Sequence, residues 1–247
     1  MEDGVVERAA YNNAVWCDAV CSTHSGPGEF ARDHWLSRHA VPDYYPDLVT
    51  LTGAADATQQ TAALAALMRE APGRRFSVKD SFGCLNLRDF GFAPLFNAEW
   101  LLTSELKALG SDEADDVRWV SVNDDADLAH WEQAWRPSAG SDKLRMFRPD
   151  LLSRPGIQFV YGLVEDAPVG GGILSATGDV IGMSNVFASG ITTEVVLQGL
   201  ARVACTRHPG QPLVGYESGA DLAAARRVGF VTVGHLRVWH RAVDGTR

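Results

Sequence analysis

Between Ile157 and Ala188 the chain carries three apolar runs, rich in β-branched or aromatic residues and separated by two turns. No other stretch narrows the fold as much. Ile157 to Val164 (IQFVYGLV) ends at Glu165-Asp166-Ala167-Pro168. Val169 to Ala176 ends at Thr177-Gly178-Asp179, and Val180 to Ala188 follows. Runs of this length bounded by Asp, Gly and Pro read as strands, and connections this short join antiparallel neighbours. An antiparallel meander is therefore expected. Its middle strand contains Gly170-Gly171-Gly172, and glycine weakens a strand unless the sheet must bend or something must approach closely. A nearby ligand would be one such neighbour. No helix follows the run, so it is not a phosphate loop.

Beyond Ala188 the period changes. Ser189-Gly190 is a turn, and Thr192-Thr193 can cap a helix with body Glu194 to Arg207. Val196, Leu197, Leu200 and Val203-Ala204 form its apolar stripe, and His208-Pro209-Gly210 stops it. Leu213 to Tyr216 is a short strand, Asp221 to Val228 an alanine-rich helix, and Gly229-Phe230 a turn into a last strand, Val231 to His240. Upstream, Arg118 to Val122 alternates like a strand. Asn123 to Asp127 offers caps for a helix over Leu128 to Trp135, which Pro137 to Ser141 ends. The order is strand, helix, three strands, helix, strand, helix, strand. It predicts an α+β fold with a mixed central sheet flanked by helices.

The first half echoes the second. At an offset of 137 residues, Val49-Thr-Leu-Thr-Gly53 aligns with Val186-Phe-Ala-Ser-Gly190, and Pro72-Gly73 with Pro209-Gly210. An alanine-rich helix, Thr58 to Glu70, lies between. With one residue inserted, Arg88-Asp-Phe-Gly-Phe92 aligns with Arg226-Arg-Val-Gly-Phe230, and Trp100 and Trp239 follow. An ordered run of this kind reads as an internal repeat. Nothing before Val49 reads as a meander, so the first copy is expected to be incomplete or remodelled. The acidic stretch Gly110 to Asp116 has no periodic apolar residues and reads as a linker. The expected domains are residues 1–110 and 117–247.

Composition bounds the function. The formal net charge of -9 disfavours non-specific binding to nucleic acids or anionic membrane surfaces. No stretch of about 18 apolar residues and no basic-then-apolar leader is present, so a cytoplasmic setting is expected. The 4 cysteines (Cys17, Cys21, Cys84, Cys205) are too few and scattered for a disulfide framework. Cys17 and Cys21 would share one helix face as buried free thiols. The 7 histidines form no metal-binding spacing, and no metal site is expected. His235 and His240 read as strand-face residues. Ser81 and Ser184 have no nominated base that would make either a nucleophile. Tyr11, Trp16, Trp35, Tyr44 and Tyr45 read mostly as core, with Tyr44-Tyr45-Pro46 also able to line an acceptor cleft.

The segment Gly215-Tyr-Glu-Ser-Gly-Ala-Asp-Leu-Ala-Ala-Ala-Arg-Arg-Val-Gly-Phe-Val-Thr-Val-Gly-His-Leu-Arg-Val-Trp239 resembles the closing segment of GNAT-superfamily acetyltransferases, where strand, helix, Gly-Phe turn and last strand follow one another. By topology the resemblance spans roughly Val117 to Arg247, with the first half a degenerate copy. It implies acetyl-coenzyme A as acyl donor, a small-molecule or peptide amine as acceptor, and a monomer or homodimer. It also implies a cleft between two splayed parallel strands, the ligand arm lying along Asn185, Val186 and Phe187. The diphosphate would sit over Ser189, Gly190, Ile191, Thr192 and Thr193 at a helix start, where unpaired N–H groups favour an anion. The same Ser189-Gly190 is equally a plain strand-to-helix turn capped by Thr192.

Two features depart from the family pattern. The loop Ala188 to Thr193 has one glycine and no arginine, where the family carries Arg/Gln-x-x-Gly-x-Gly/Ala. Ala225 stands where many members place a tyrosine, and Val180 to Ala188 contains no carboxylate. Glu217 as base and Ser218 as thiolate contact are the candidates, although the pair also suits a helix cap. Two functions follow: an acyl-coenzyme A-dependent N-acyltransferase, or a catalytically silent relative that binds the ligand or regulates.

Overall fold

A computed structural model of the chain describes residues 4–104, 116–136 and 145–242. The expected linker (apart from Asp116) and the expected helix stop at Pro137 to Ser141 lie outside the described residues. The chain forms two compact units, Met1–Trp100 with Val233–Arg247, and Leu101–Thr232.

The first unit opens with α1 (Val5–His24), whose buried face is built from small residues, among them Ala9, Ala10, Ala14 and Val20. Cys17 and Cys21 are buried free thiols one turn apart, and burial pushes both up from the usual thiol range. Three short strands follow, β1 (Glu29–Phe30), β2 (His34–Leu36) and β3 (Leu48–Thr50), each antiparallel to the next. The first half thus does hold a meander. Strands of two or three residues have no room for a period-two pattern, so no alternation announces them. Trp16, Trp35 and Tyr45 are core as expected, whereas Tyr11 and Tyr44 are exposed.

From β3 the chain passes through α2 (Ala57–Glu70) to β4 (Phe76–Asp80), parallel to β3. A 3₁₀ turn over Arg88–Phe90 then leads into β5 (Ala93–Thr103). The last strand of the chain, β11 (Val231–Arg241), pairs antiparallel with β4 from Arg237↔Asp80 to Arg241↔Phe76. The order in this unit is β1-β2-β3-β4-β11-β5. Leu64 and Leu67 of α2 pack on Leu48, Phe76, Val78 and Trp239.

The second unit contains β6 (Arg118–Ser121), α3 (Asp125–Trp135), β7 (Ile157–Val164), β8 (Ala167–Thr177) and β9 (Val180–Ala188). It continues with α4 (Thr193–Arg207), β10 (Leu213–Glu217) and α5 (Gly219–Arg227). The order is β10-β9-β8-β7-β6, antiparallel except for the β9/β10 pair. The meander falls where the sequence puts it. α5 begins at Gly219, two residues earlier than the alanine-rich pattern suggests, with Ser218 as N-cap and Gly219 at a positive φ of 56°.

The glycine run is explained by close packing on both faces. A Cβ on Gly170 or Gly172 would meet Val196 or Leu200 of α4 at 2.6 Å, and one on Gly171 would meet the Val160 carbonyl at 2.4 Å and the Phe187 ring at 2.9 Å. Helix α4 therefore rests directly on β8. Phe187 lies on the opposite face, edge-on to Trp131 of α3 at 5.3 Å between centroids. The apolar core on the α4 side gathers Val196, Leu197, Leu200, Ala204, Ile181, Met183 and Leu213.

The same run of elements recurs in both halves: strand, helix, parallel strand, short helical turn, a Gly-Phe pair, and a closing strand of 11 residues. Gly91 and Gly229 both take positive φ, Phe92 and Phe230 are both buried, and so are Trp100 and Trp239. The counterpart of α5 is reduced to the 3₁₀ turn.

Gly199 of α4 yields a prediction whose sign is unusual. Glycine to alanine inside a helix ordinarily stabilises by about 1 kcal/mol. Here the added Cβ would lie 1.9 Å from Trp119 Cε2, and overpacking of this kind costs about 1–3 kcal/mol. Gly199→Ala should lower the thermal midpoint by a few degrees, and a raised midpoint would contradict the packing described.

Candidate functional site

Strand β10 pairs with β9 only at Leu213↔Ile181 and Val214↔Gly182, with Ile181 N–H also donating to Pro212 O at 2.9 Å. Both strands run on, β9 to Ala188 and β10 to Glu217, without further pairing to each other. A Cβ on Gly215 would stand 3.2 Å from the Met183 carbonyl oxygen, so the backbones are still close there, although no further pair forms. The unpaired stretch of β9 contains a bulge. Gly171 pairs with Phe187 and Ile173 with Ser184, which leaves Asn185 and Val186 opposite Gly172 alone. Asn185 takes the left-handed conformation at φ 51°, which asparagine tolerates better than most side chains. The opened edge of β9 offers backbone groups that no strand satisfies, which suits an extended ligand.

The cleft ends at the start of α4. Ser189 N–H donates to Val169 O at 2.8 Å, anchoring the turn to β8. Gly190 has φ 84° with open space where a Cβ would point. Ile191 packs into the α4-side core. Thr192 is the N-cap, its hydroxyl accepting from Val195 N–H at 3.4 Å. The turn-and-cap geometry is thus present, and it leaves an N-terminus beside the cleft.

Charged groups surround that N-terminus. Glu194 accepts from Arg227 Nε at 2.7 Å and Nη2 at 2.5 Å, which holds its carboxyl below the usual range. Thr193 Oγ1 donates to Asp221 Oδ1 at 3.2 Å. Glu217, at the end of β10, is half-buried, and burial, with the nearby Asp221 charge adding, pushes its carboxyl up to about 7. Period-two alternation from Leu213 turns it toward α4 and α5. Ser218 is exposed and takes the N-cap position of α5 without a side-chain cap bond.

The candidates are therefore brought together as two sides of one opening, Asn185 to Thr193 along the first and Glu217 with Ser218 at the end of the second. Sequence reasoning missed Asp221 and Arg227. The four-residue spacing from Glu217 to Asp221 across a helix start was the available signal for the first. Ala225, at the position of the family tyrosine, is fully buried.

In the first unit the counterpart strands β3 and β4 also share two pairs, and a side chain bridges their ends. Thr50 Oγ1 accepts from Ser81 N–H at 2.8 Å, and Gln60 Nε2 donates to Asp33 O at 3.0 Å and Thr52 O at 2.8 Å. Asp80, 137 residues before Glu217, is buried and accepts from Leu85 N–H at 2.9 Å and Cys84 N–H at 3.2 Å. Its carboxylate organises a turn.

Solved structures share this architecture. A GCN5-related N-acetyltransferase from Kribbella flavida superposes with a TM-score of 0.66 at 15% identity, covering 97% of this chain and 96% of that one. The chain has a GNAT fold. One from Sphaerobacter thermophilus gives 0.55 at 12% identity over 95% and 92% of the two chains. A tandem GNAT protein from the clavulanic acid biosynthesis pathway gives 0.54 at 12% over 97% and 96%. Near-complete coverage by a tandem protein agrees with two GNAT-like halves. No protein-family model matches the sequence, and no curated protein matches it. Identities this low carry the fold alone. No helix among the described residues is long and apolar enough to cross a membrane.

The raised carboxyl of Glu217 sets a pH dependence. Its folded value, about 7, lies above its ordinary 4.5. The stability that its protonated form provides is therefore complete below about pH 4.5 and lost as pH rises through 7. Glu217→Gln, which cannot ionise, should gain in thermal midpoint relative to the parent by a few degrees between pH 5 and pH 8. An offset that stays constant over that range would contradict the burial assigned to the carboxyl.

Proposed function

We propose that the second half holds an acyl-coenzyme A between β9 and β10 and transfers its acyl group, most simply acetyl, to a primary amine in the cytoplasm. The observation that carries this reading is a parallel strand pair that opens after two residue pairs and leads directly to a capped helix start. In the proposed arrangement the pantetheine arm lies along Asn185, Val186 and Phe187, pairing with the free backbone edge. The diphosphate rests over Ser189 to Thr193, where first-turn N–H groups and the helix dipole stabilise it without a lysine.

The amine attacks the thioester carbonyl carbon as the C–N bond forms and the C–S bond breaks. Glu217, with a carboxyl poised near neutrality, takes the amine proton through water, which suits a general base at physiological pH. Ser218, exposed at the start of α5, contacts the departing thiolate. Segments 1–110 and 117–247 are proposed as the two copies of the repeat, with β11 belonging to the second by sequence and to the first compact unit by pairing. The acceptor is a small-molecule or peptide amine, and the protein works as a monomer or homodimer.

A second reading is a silent module that binds the ligand without turnover. The burial of Ala225 where the family has a tyrosine, and the carboxylates Glu194 and Asp221 beside the helix start, favour it.

Calorimetric titration with acetyl-coenzyme A, followed by a free-thiol release assay over a panel of amines, separates the readings. The proposal predicts saturable binding, amine-dependent thiol release, and a rate rising with pH to a plateau above about 7. Glu217→Gln should bind normally and lose about 10²-fold in rate, together with that inflection. Binding without release for any amine supports the silent module. No binding at high micromolar ligand removes both readings.

A further inference from the structure

Ser184 sits at the mouth of the opening, two residues beyond the last β9/β10 pair at Gly182 and immediately before the bulge residue Asn185. Its Oγ is shielded from solvent and has no hydrogen-bond partner. A buried hydroxyl without a partner is uncommon enough to need a reason. The strand direction adds one. Ile181 and Met183 belong to the α4-side core, so alternation sets Ser184 on the opposite face. The bulge then returns Val186 to the α4 side and Phe187 to the α3 side.

The reach of the donor ligand, as placed under the proposed function, ends at this residue. From diphosphate to sulfur the pantetheine arm has about thirteen bonds, roughly 16 Å extended. That length matches four to five strand residues at about 3.3 Å each. Counted back from Ser189, it brings the thioester to Ser184 and Asn185. As an amine attacks there, the carbonyl oxygen gains negative charge, and a donor aimed at it in a site screened from water lowers the barrier.

We propose that Ser184 Oγ is a catalytic hydrogen-bond donor to the carbonyl oxygen of the bound acyl group. The inference rests on the coenzyme A reading given above. The hydroxyl donates a hydrogen bond and keeps its proton. The amine proton goes to Glu217, the electron pair of the broken C–S bond leaves with sulfur, and the thiolate is protonated from solvent. The donation requires the hydroxyl to leave its shielded position on the α3 side, by a turn about χ1, and to face the β9 edge of the cleft.

The test compares the full-length parent, Ser184→Ala and Ser184→Thr by calorimetry, thiol-release kinetics and the infrared stretch of acetyl-coenzyme A labelled with carbon-13 at the thioester carbonyl. The expected result for Ser184→Ala is unchanged affinity, a rate lower by about 10²-fold, and a bound-carbonyl stretch at higher frequency than in the parent. Ser184→Thr, which keeps the hydroxyl, should recover most of the rate and the parental frequency. Equal rates and frequencies in parent and Ser184→Ala would overturn the proposal. So would a slow Ser184→Ala with an unshifted carbonyl, since that marks a purely structural loss. Failure of the parent itself to bind acetyl-coenzyme A is a separate outcome, one that removes the underlying reading and the proposal with it.

Discussion

The truncated parallel pairing of β9 with β10 is the constraint on which the rest of the second unit depends. Two residue pairs hold the strands together at Ile181–Gly182. The bulge at Asn185 lies three residues beyond the last pair, on the stretch of β9 that β10 leaves unpaired. Beside the bulge, β8 carries no side chains at Gly170, Gly171 and Gly172, which admits α4 on one face and Phe187 on the other.

The two halves show what the same elements do with and without that opening. In the first unit the ends of β3 and β4 are bridged by the Thr50 hydroxyl, which accepts from Ser81 N–H, and the carboxylate of Asp80 is spent on a turn. In the second, the corresponding carboxylate, Glu217, has its charge opposed by burial and by Asp221. Burial raises both carboxyls; backbone N–H donors oppose the rise at Asp80, whereas the Asp221 charge adds to it at Glu217. The partners around each carboxyl therefore differ more than its burial does.

Much of the fold was legible because the information was local. Ile157 to Val164 and Val180 to Ala188 are strands over the full ranges that their composition marks, and Thr192 caps α4 as a threonine after a turn should. The first-half meander was not legible, since two- and three-residue strands have no periodicity to read. The glycine run was ambiguous for a different reason. Its cause, the approach of Val196, Leu200 and Phe187, lies in residues far along the chain. Likewise the candidate loop Ser189 to Thr193 could be placed from turn and cap residues. The bulge, the screening of Ser184 Oγ and the Glu217 shift arise only once β8, β9, β10 and α5 are assembled.

The central claim is that the opening in the second half, and not its bridged counterpart, receives an acyl-coenzyme A. Amide chemical shifts of the labelled protein during titration with acetyl-coenzyme A test it most directly. The account predicts saturable shifts concentrated in Ser184 to Val195 and Tyr216 to Asp221, with Val49 to Gly53 and Ser81 unmoved. Shifts confined to the first-half segment, or none anywhere at saturating ligand, would contradict it.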